Sequence, residues 1–151
     1  MNFTGPKAEK PQSNGMSFPS VEKFMASDEV TLSPELTIDE AINIILENKL
    51  TGAPVLDQNR AIVGMLTEKD CLKLIVDAAY NNMPHHDKTV ADYMTKVVKT
   101  VTTEHDILDV ANEFLTTHYR KFPVVHNGKL VGQVSRRDIL RAMRETKITT
   151  W

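Results

Sequence analysis

Two short stretches of the chain place a carboxylate three residues after a hydroxyl. They are Thr67 with Asp70 and Ser135 with Asp138. Each stretch follows an apolar run and opens a segment with helical spacing, so it marks the step from a strand into a helix. A hydroxyl and an acid at this step form a capping box, which satisfies the free N–H groups of the first helical turn. That role alone explains the residue types.

The same arrangement could also hold a ligand. A helix N-terminus attracts phosphate, and the hydroxyl of Thr67 or Ser135 can donate a hydrogen bond to it. An ionised carboxylate only accepts hydrogen bonds, so Asp70 and Asp138 suit the two hydroxyls of a ribose and would repel a phosphate. The residue types leave capping and ligand binding open, and the two roles can coexist.

The chain carries these stretches inside a longer pattern that occurs twice. The second copy lacks one residue, in the turn at Asn127-Gly128. Because insertions and deletions between copies of one fold fall in loops, this difference is consistent with an internal repeat. The repeated segments, 69 residues apart and then 68 after the turn, are Val21–Met25 with Val90–Met94, Thr31–Glu35 with Thr100–Glu104, Ala53–Val55 with Phe122–Val124, and Gly64–Asp70 with Gly132–Asp138.

Each copy predicts a short helix, a short strand, a long helix, two strands and a final helix. The first copy places them at Val21–Met25, Val30–Leu32, Ile38–Lys49, Ala53–Leu56, Ala61–Leu66 and Glu68–Ala79. The second places them at Val90–Met94, Val98–Val101, Asp106–His118, Phe122–His126, Lys129–Val134 and Arg136–Glu145.

The predicted fold class is α/β, of the α+β type, with two β-α-β-β-α repeats. Neither copy is long enough to bury much core alone, so we expect the two to pack sheet to sheet in pseudo-two-fold symmetry. The predicted organisation is a flexible arm at 1–19, a first repeat at 20–80, a linker at 81–88, a second repeat at 89–146 and a tail at 147–151.

The composition is that of an ordinary globular chain. Its 151 residues are 41% apolar and 25% charged, which excludes a disordered protein and a fibre. The longest apolar runs are only a few residues, where a membrane helix needs about 20, so we expect no membrane span. The N-terminus has no apolar signal region, and the single Cys71 fits a reducing compartment, so the predicted location is the cytoplasm.

Charge is spread unevenly along the chain. The net charge of −2 lacks the basic excess of a nucleic-acid binder. Residues 1–89 contain 8 Lys and Arg against 13 Asp and Glu, whereas residues 90–151 contain 10 against 7. The last helix adds a basic face that could meet solvent, a partner, nucleic acid or the acidic first half of a neighbouring chain. Its arginines are Arg136, Arg137, Arg141 and Arg144.

The doubled pattern resembles tandem cystathionine-β-synthase (CBS) domains, known as a Bateman module. The resemblance lies in the strand with Pro54-Val55 or Pro123-Val124, and in the final Gly-x-x-Thr/Ser-x-x-Asp, and it covers Val21 to about Glu145. It implies a stand-alone, non-catalytic regulatory module that binds AMP, ADP, ATP or a related adenosyl ligand in clefts between the repeats. It also implies a homodimer through exposed helix faces, with no obligatory cofactor.

The resemblance further implies which residues would line each cleft. One cleft would combine Thr67 and Asp70 with Val98, Thr100, Arg120, Lys121 and Pro123. Val98 and Pro123 would lie near a purine ring, and Arg120 and Lys121 would face phosphate. The other cleft would combine Ser135 and Asp138 with Val30, Thr31, Thr51 and Pro54.

The two implied clefts differ in charge. Thr51 and Gly52 stand where the second copy has Arg120 and Lys121. A charge-assisted hydrogen bond contributes about 1.5–3 kcal/mol, so we expect the Asp138 cleft to bind phosphate more weakly, to stay empty or to suit adenosine-like ligands.

Two other residue groups could suggest a nucleophile or a metal site, but neither has the partners that such a site needs. Cys71 aligns with the apolar Ile139 and has no catalytic partners, so we interpret it as a core residue. The run His85-His86-Asp87 lies in a polar linker and lacks the spacing of a tetrahedral metal site, so no metal is predicted.

Two other functions remain as alternatives: a structural oligomerisation module with no physiological ligand, and a small enzyme such as a nucleotide hydrolase. The sequence offers the enzyme no P-loop, base or metal cluster.

Overall fold

The computed structural model describes residues 17–27, 29–82, 86–96 and 98–146. The predicted tail and most of the predicted arm lie outside these residues. The described chain forms two compact units. The first unit runs from Val30 to Val98, and the second joins the segment that ends at Glu29 to the residues from Lys99 onward.

The two repeats share one order of elements, except that the second has a short strand, β3, where the first has only an isolated bridge at Leu32. The first contains a 3-10 helix (Val21–Lys23), then α1 (Ile38–Glu47), β1 (Gly52–Leu56), β2 (Ile62–Thr67) and α2 (Glu68–Asn81). The second contains α3 (Val90–Tyr93), β3 (Val101–Thr102), α4 (Ile107–Leu115), β4 (Lys121–His126), β5 (Lys129–Ser135) and α5 (Arg136–Thr146). None of the helices in the described residues has both the length and the apolar character that a membrane crossing requires.

The core of the first unit forms between α1 and a two-stranded sheet. The Thr37 hydroxyl caps α1 by accepting from the Glu40 amide, and the helix buries Ile38, Ala41 and Ile45 at helical spacing. Strands β1 and β2 pair antiparallel. Leu32 adds a single parallel bridge to β1, where the sequence predicted a strand over Val30–Leu32. The buried cluster is completed by Ala53, Val55, Leu66, Leu74 and Val90.

The second unit repeats this plan with a three-stranded sheet. β3 pairs parallel with β4, and β4 pairs antiparallel with β5. A capping box between Asp106 and Asp109 begins α4. The core stacks the Phe114 ring on the Phe122 ring, with centroids 4.4 Å apart, and is completed by Val21, Val101, Val110, Val124 and Val134.

The leading segment of each repeat docks on the core of the other repeat. The Val21 amide donates to the His105 carbonyl at 3.0 Å, so the 3-10 helix belongs to the second unit. The Val90 amide donates to the Leu36 carbonyl at 2.9 Å, so α3 belongs to the first. The compact units therefore differ in boundary from the sequence repeats, although both hydrogen bonds join the same pair of repeat positions.

Candidate functional site

The turn between β2 and α2 holds the first predicted hydroxyl–carboxylate pair. The Oδ2 atom of Asp70 accepts from the Thr67 amide at 2.9 Å and from the Thr67 hydroxyl at 3.0 Å. The Asp70 amide donates back to the Thr67 hydroxyl at 3.2 Å. The pair is therefore a capping box, and it fixes the carboxylate at the first turn of a helix.

The Asp70 carboxylate has further partners that the sequence did not suggest. The Thr95 hydroxyl donates to Oδ1 at 3.1 Å and lies 3.3 Å from Oδ2, while the Lys73 ammonium lies 4.0 Å away. Asp70 is only 4% exposed. A buried carboxylate that accepts two hydroxyls is a suitable acceptor for the two hydroxyls of a ribose. Thr95 was missed because its counterpart in the first repeat is Ala26, which has no hydroxyl.

A capping box by itself does not distinguish the site. Thr89 and Asp92 form one at the start of α3, with the Thr89 amide and hydroxyl donating to Asp92 at 2.8 and 3.2 Å. Asp92 is exposed, however, and the donation from the Thr89 amide holds the pKa of its carboxyl below the usual value of 3.8. The burial of Asp70 and its contact with Thr95 are what separate it from an ordinary cap.

The second predicted pair differs in its outer partner. The Ser135 amide donates to Asp138 at 2.8 Å, and the Asp138 amide donates to the Ser135 hydroxyl at 3.1 Å. The outer oxygen accepts from the Arg141 guanidinium at 2.7 Å, and that guanidinium also donates to the Phe24 carbonyl at 3.4 Å. The outer partner of Asp138 is thus the guanidinium of Arg141, whereas that of Asp70 is the hydroxyl of Thr95.

The predicted phosphate-facing residues lie in the second unit. Lys121 opens β4 directly opposite Ser135. Its ammonium lies 3.8 Å from the Glu29 carboxylate, and the Arg120 carbonyl accepts from the Arg136 amide at 3.2 Å. Both basic side chains are exposed. The nearby carboxylate lowers the attraction of Lys121 for an anion, so Arg120 is the stronger candidate for phosphate.

The other predicted residues are divided between the units. Val30, Thr31, Thr51, Pro54 and Val98 lie in the first unit with Thr67 and Asp70, while Thr100 and Pro123 lie in the second with Ser135 and Asp138. The Thr51 carbonyl accepts from the Glu68 amide at 3.0 Å, which places Thr51 beside the start of α2. The clefts that would combine residues of both repeats remain a prediction.

One polar residue of this region was missed altogether. Gln133 lies opposite Pro123 on β5 and is 2% exposed. Its amide nitrogen donates to Glu29 at 3.4 Å, and its amide oxygen has no hydrogen-bond partner in the described part of the chain. The sequence could have indicated this residue, because Gln133 stands at a repeat position where the first copy has the apolar Met65. A polar side chain in a buried strand needs a hydrogen-bond partner.

Other parts of the described chain add no metal centre. No group of three or more His, Cys, Asp or Glu among these residues could hold a metal ion, and His85 of the predicted linker lies outside them. A hollow of about 550 Å³ lies along α2 and α3 in the first unit, with Lys69, Lys73, Asp77 and Tyr93 in its lining. None of the predicted site residues lines it.

The sequence matches the CBS domain family twice, over residues 21–77 and 90–145. The chain belongs to the CBS domain family. As a CBS-pair protein it has the Bateman fold, and the family and fold-class predictions are confirmed.

Individual relatives agree with this assignment. CBSX1 of Arabidopsis thaliana, a chloroplastic CBS domain-containing protein, is 30% identical over 154 residues, which cover 85% of this chain and 65% of CBSX1. Protein MJ1225 of Methanocaldococcus jannaschii is 28% identical over 123 residues, covering 82% of this chain and 42% of that protein. The chain thus spans less than two thirds of the length of either relative.

A solved structure carries the comparison further. CBSX2 of Arabidopsis thaliana, crystallised in complex with AMP, is 31% identical and superposes with a TM-score of 0.74. The match covers 85% of this chain and 98% of the CBSX2 chain.

Proposed function

We propose that this CBS-pair protein is a non-catalytic regulatory module whose ligand is an adenine nucleotide such as AMP, ADP or ATP. The observation that carries the proposal is the Asp70 carboxylate, which is buried at a helix N-terminus and accepts from the hydroxyls of Thr67 and Thr95. Ribose hydroxyls offer the same donors. The AMP complex of CBSX2 supports the choice of ligand.

The remaining predicted residues have proposed roles within this function. Arg120 would receive phosphate, while the Thr67 hydroxyl, which donates to Asp70 at 3.0 Å, would hold that carboxylate in place for the ribose. Ser135 and Asp138 would bind an adenosyl ligand more weakly, because the Arg141 guanidinium donates to the Asp138 carboxylate at 2.7 Å and a ribose would have to displace it. A nucleotide that binds one arrangement of the module more tightly than another shifts the population toward that arrangement. A protein partner that contacts the module would then respond to the shift.

Titration calorimetry with AMP, ADP and ATP tests the proposal on the full chain. Asp70→Asn removes the charge while keeping the shape of the side chain, and Arg120→Ala removes a cation. Losing a charge-assisted hydrogen bond corresponds to about a ten- to hundredfold weaker affinity. Asp92→Asn is the matched control, since it alters an equivalent capping box that is exposed. Unchanged affinity in Asp70→Asn and Arg120→Ala would remove both residues from the site.

A second candidate function is an oligomerisation module with no physiological ligand. The exposed apolar side chains of the long helices favour it, including Leu46, Ile75 and Leu115. Both candidates use a homodimer formed through these helix faces. Thermal unfolding separates them, because a ligand that binds only the native state raises the midpoint. A nucleotide panel that leaves the midpoint unchanged at all concentrations would favour the structural role.

We place the protein in the cytoplasm, on the support of a chain with one cysteine and therefore no internal disulfide. The chloroplastic relative CBSX1 shows that family membership does not fix the compartment. Fractionation of cells that express the tagged protein tests the assignment.

A further inference from the structure

A carboxylate of the second unit lies between a buried amide and a lysine. The Gln133 amide nitrogen donates to the Oε2 atom of Glu29 at 3.4 Å, and the Lys121 ammonium lies 3.8 Å from the same oxygen. The side chain of Glu29 is only 15% exposed, whereas that of Lys121 is 42% exposed. Because the carboxylate is mostly removed from water, dissolved salt screens its charge less than it screens a surface charge.

The backbone fixes where this carboxylate lies. Gln133 and Ala26 exchange two backbone hydrogen bonds of 2.9 Å, so the segment that leads to Glu29 runs beside β5. Lys121 pairs with Ser135 across β4 and β5, and Ser135 is two residues from Gln133. Paired residues, and residues two apart on a strand, share one face of a sheet. Lys121 and Gln133 therefore lie on one face, and the docked segment brings Glu29 to it.

The fold itself does not require these three polar residues. The matched positions in the first repeat hold Val98, Met65 and Gly52. Met65 exchanges the equivalent backbone hydrogen bonds with Thr95, at 2.9 and 2.8 Å, so the first repeat has the same arrangement without the charges. Burying the polar side chains of Glu29 and Gln133 costs free energy. A costly group of residues in only one of two equivalent places points to a role outside folding.

We propose that Glu29 limits the number of phosphates on the nucleotide, so that the site takes a nucleoside monophosphate in preference to a triphosphate. The inference rests on the proposed function and names the class of nucleotide. Arg120 and Lys121 are the cations predicted to face phosphate, and Glu29 largely neutralises Lys121. One phosphate group can pair with the Arg120 guanidinium. Each further phosphate adds negative charge that the shielded carboxylate repels.

Titration calorimetry of the full chain with AMP and with ATP, in EDTA, measures the ratio of the two dissociation constants. We expect the wild type to bind AMP more tightly than ATP. Glu29→Gln removes the charge and keeps the size of the side chain. It should tighten ATP binding relative to AMP by about fivefold, the effect of one unit charge about 4 Å away in water. Glu22→Gln is the matched control, because it removes an exposed carboxylate from the 3-10 helix of the same segment.

A double-mutant cycle tests whether Glu29 acts through Lys121. Lys121→Gln should weaken ATP binding only slightly in the wild type, because Glu29 already neutralises the ammonium. In the Glu29→Gln background the same change should weaken ATP binding about fivefold, because Lys121 can then pair with phosphate. If Glu29 had only a structural role, Lys121→Gln would have the same effect in both backgrounds. Thermal unfolding confirms that each variant is folded.

Tripolyphosphate, titrated into the same proteins, separates this proposal from the adenine-nucleotide function. If no nucleotide binds but tripolyphosphate binds Glu29→Gln more tightly than wild type, the nucleotide function fails and the exclusion of polyphosphate by Glu29 stands. Three results would overturn the role of Glu29. They are a wild type that prefers ATP, a ratio of AMP to ATP affinity that Glu29→Gln leaves unchanged, and no binding of any of these anions to either protein.

Discussion

The Thr95 hydroxyl donates to the buried carboxylate of Asp70, at 3.1 Å from one oxygen and 3.3 Å from the other. Thr95 is itself exposed and lies just beyond α3. A nucleotide whose ribose used Asp70 would compete with this hydroxyl. Thr95 therefore has a direct bearing on the affinity of the proposed site.

We expect Thr95→Ala to raise the affinity for AMP severalfold, because a ribose hydroxyl no longer has to displace an internal donor. The same change should lower the free energy of unfolding by about 1 kcal/mol through the lost hydrogen bond. Calorimetric titration and urea unfolding measure the two effects. Thr89→Ala is the matched control, since it removes a hydroxyl that donates to the exposed Asp92. Weaker AMP binding in Thr95→Ala would show that Thr95 supports the ligand instead.

Close backbone contacts hold the segment that carries Thr95. A Cβ atom on Gly64 would lie 2.9 Å from the Thr95 carbonyl oxygen and 2.6 Å from the sulfur of Met94. Gly132 has the same relationship to Ala26 and Met25, at 2.6 and 2.8 Å. We expect Gly64→Ala and Gly132→Ala each to lower the free energy of unfolding by about 1–3 kcal/mol.

Urea unfolding of these glycine variants gives the measurement. Gly64→Ala should also change AMP affinity more than Gly132→Ala does, because it moves Thr95 relative to Asp70. Equal changes in AMP affinity in the two variants would argue against a role of the Thr95–Asp70 contact in AMP binding.

The Asp92 carboxyl gives a prediction about pH. Donation from the Thr89 amide lowers the pKa of Asp92 in the folded protein below 3.8. A lowered folded pKa stabilises the protein above the unfolded value, and this stabilisation disappears as the pH falls through the folded value. Asp92→Asn should therefore reduce the thermal midpoint at neutral pH. The gap to wild type should close in acid, which melting curves at a series of pH values would show. A gap of constant size would contradict the assignment.

Cys71 should react slowly with alkylating reagents at neutral pH. Burial raises the pKa of its thiol above 9.0, and the carboxylates of Asp70 and Glu68 raise the pKa further. Glu68 is exposed, so Glu68→Gln removes one charge without disturbing the core. We expect this change to shift the pH profile of iodoacetamide alkylation to lower pH, whereas Glu104→Gln in the second unit should not. Identical profiles for all three proteins would exclude the charge effect.

The elements of the fold were largely predictable because the repeat supplies each boundary twice. β2 and β5 end within one residue of their predicted limits, and α2 and α5 begin at the predicted residues. Helices α1 and α4 end earlier than predicted. α1 ends at Glu47, since Lys49 adopts a left-handed φ of 54°. α4 ends at Leu115, since the Thr117 hydroxyl donates to the Glu113 carbonyl at 2.9 Å and competes with the helix.

The site was predictable in its residue types and less so in its contacts. The hydroxyl–carboxylate spacing identified Thr67 and Asp70, because a capping box has a fixed sequence signature. The contact of Thr95 with Asp70, and the one between Gln133 and Glu29, join residues that are distant in sequence. Such contacts depend on which core each segment docks against, and two similar repeats leave that choice open.

From the docking of the leading segments we expect an order of folding during synthesis. The first unit, from Val30 to Val98, is complete once its last strand and α3 have left the ribosome. The 3-10 helix at Val21–Lys23 emerges earlier but waits for His105 and Gln133, which accept from Val21 and Ala26. This early segment is thus among the last to dock, because it secures the second unit only after Gln133 has been synthesised.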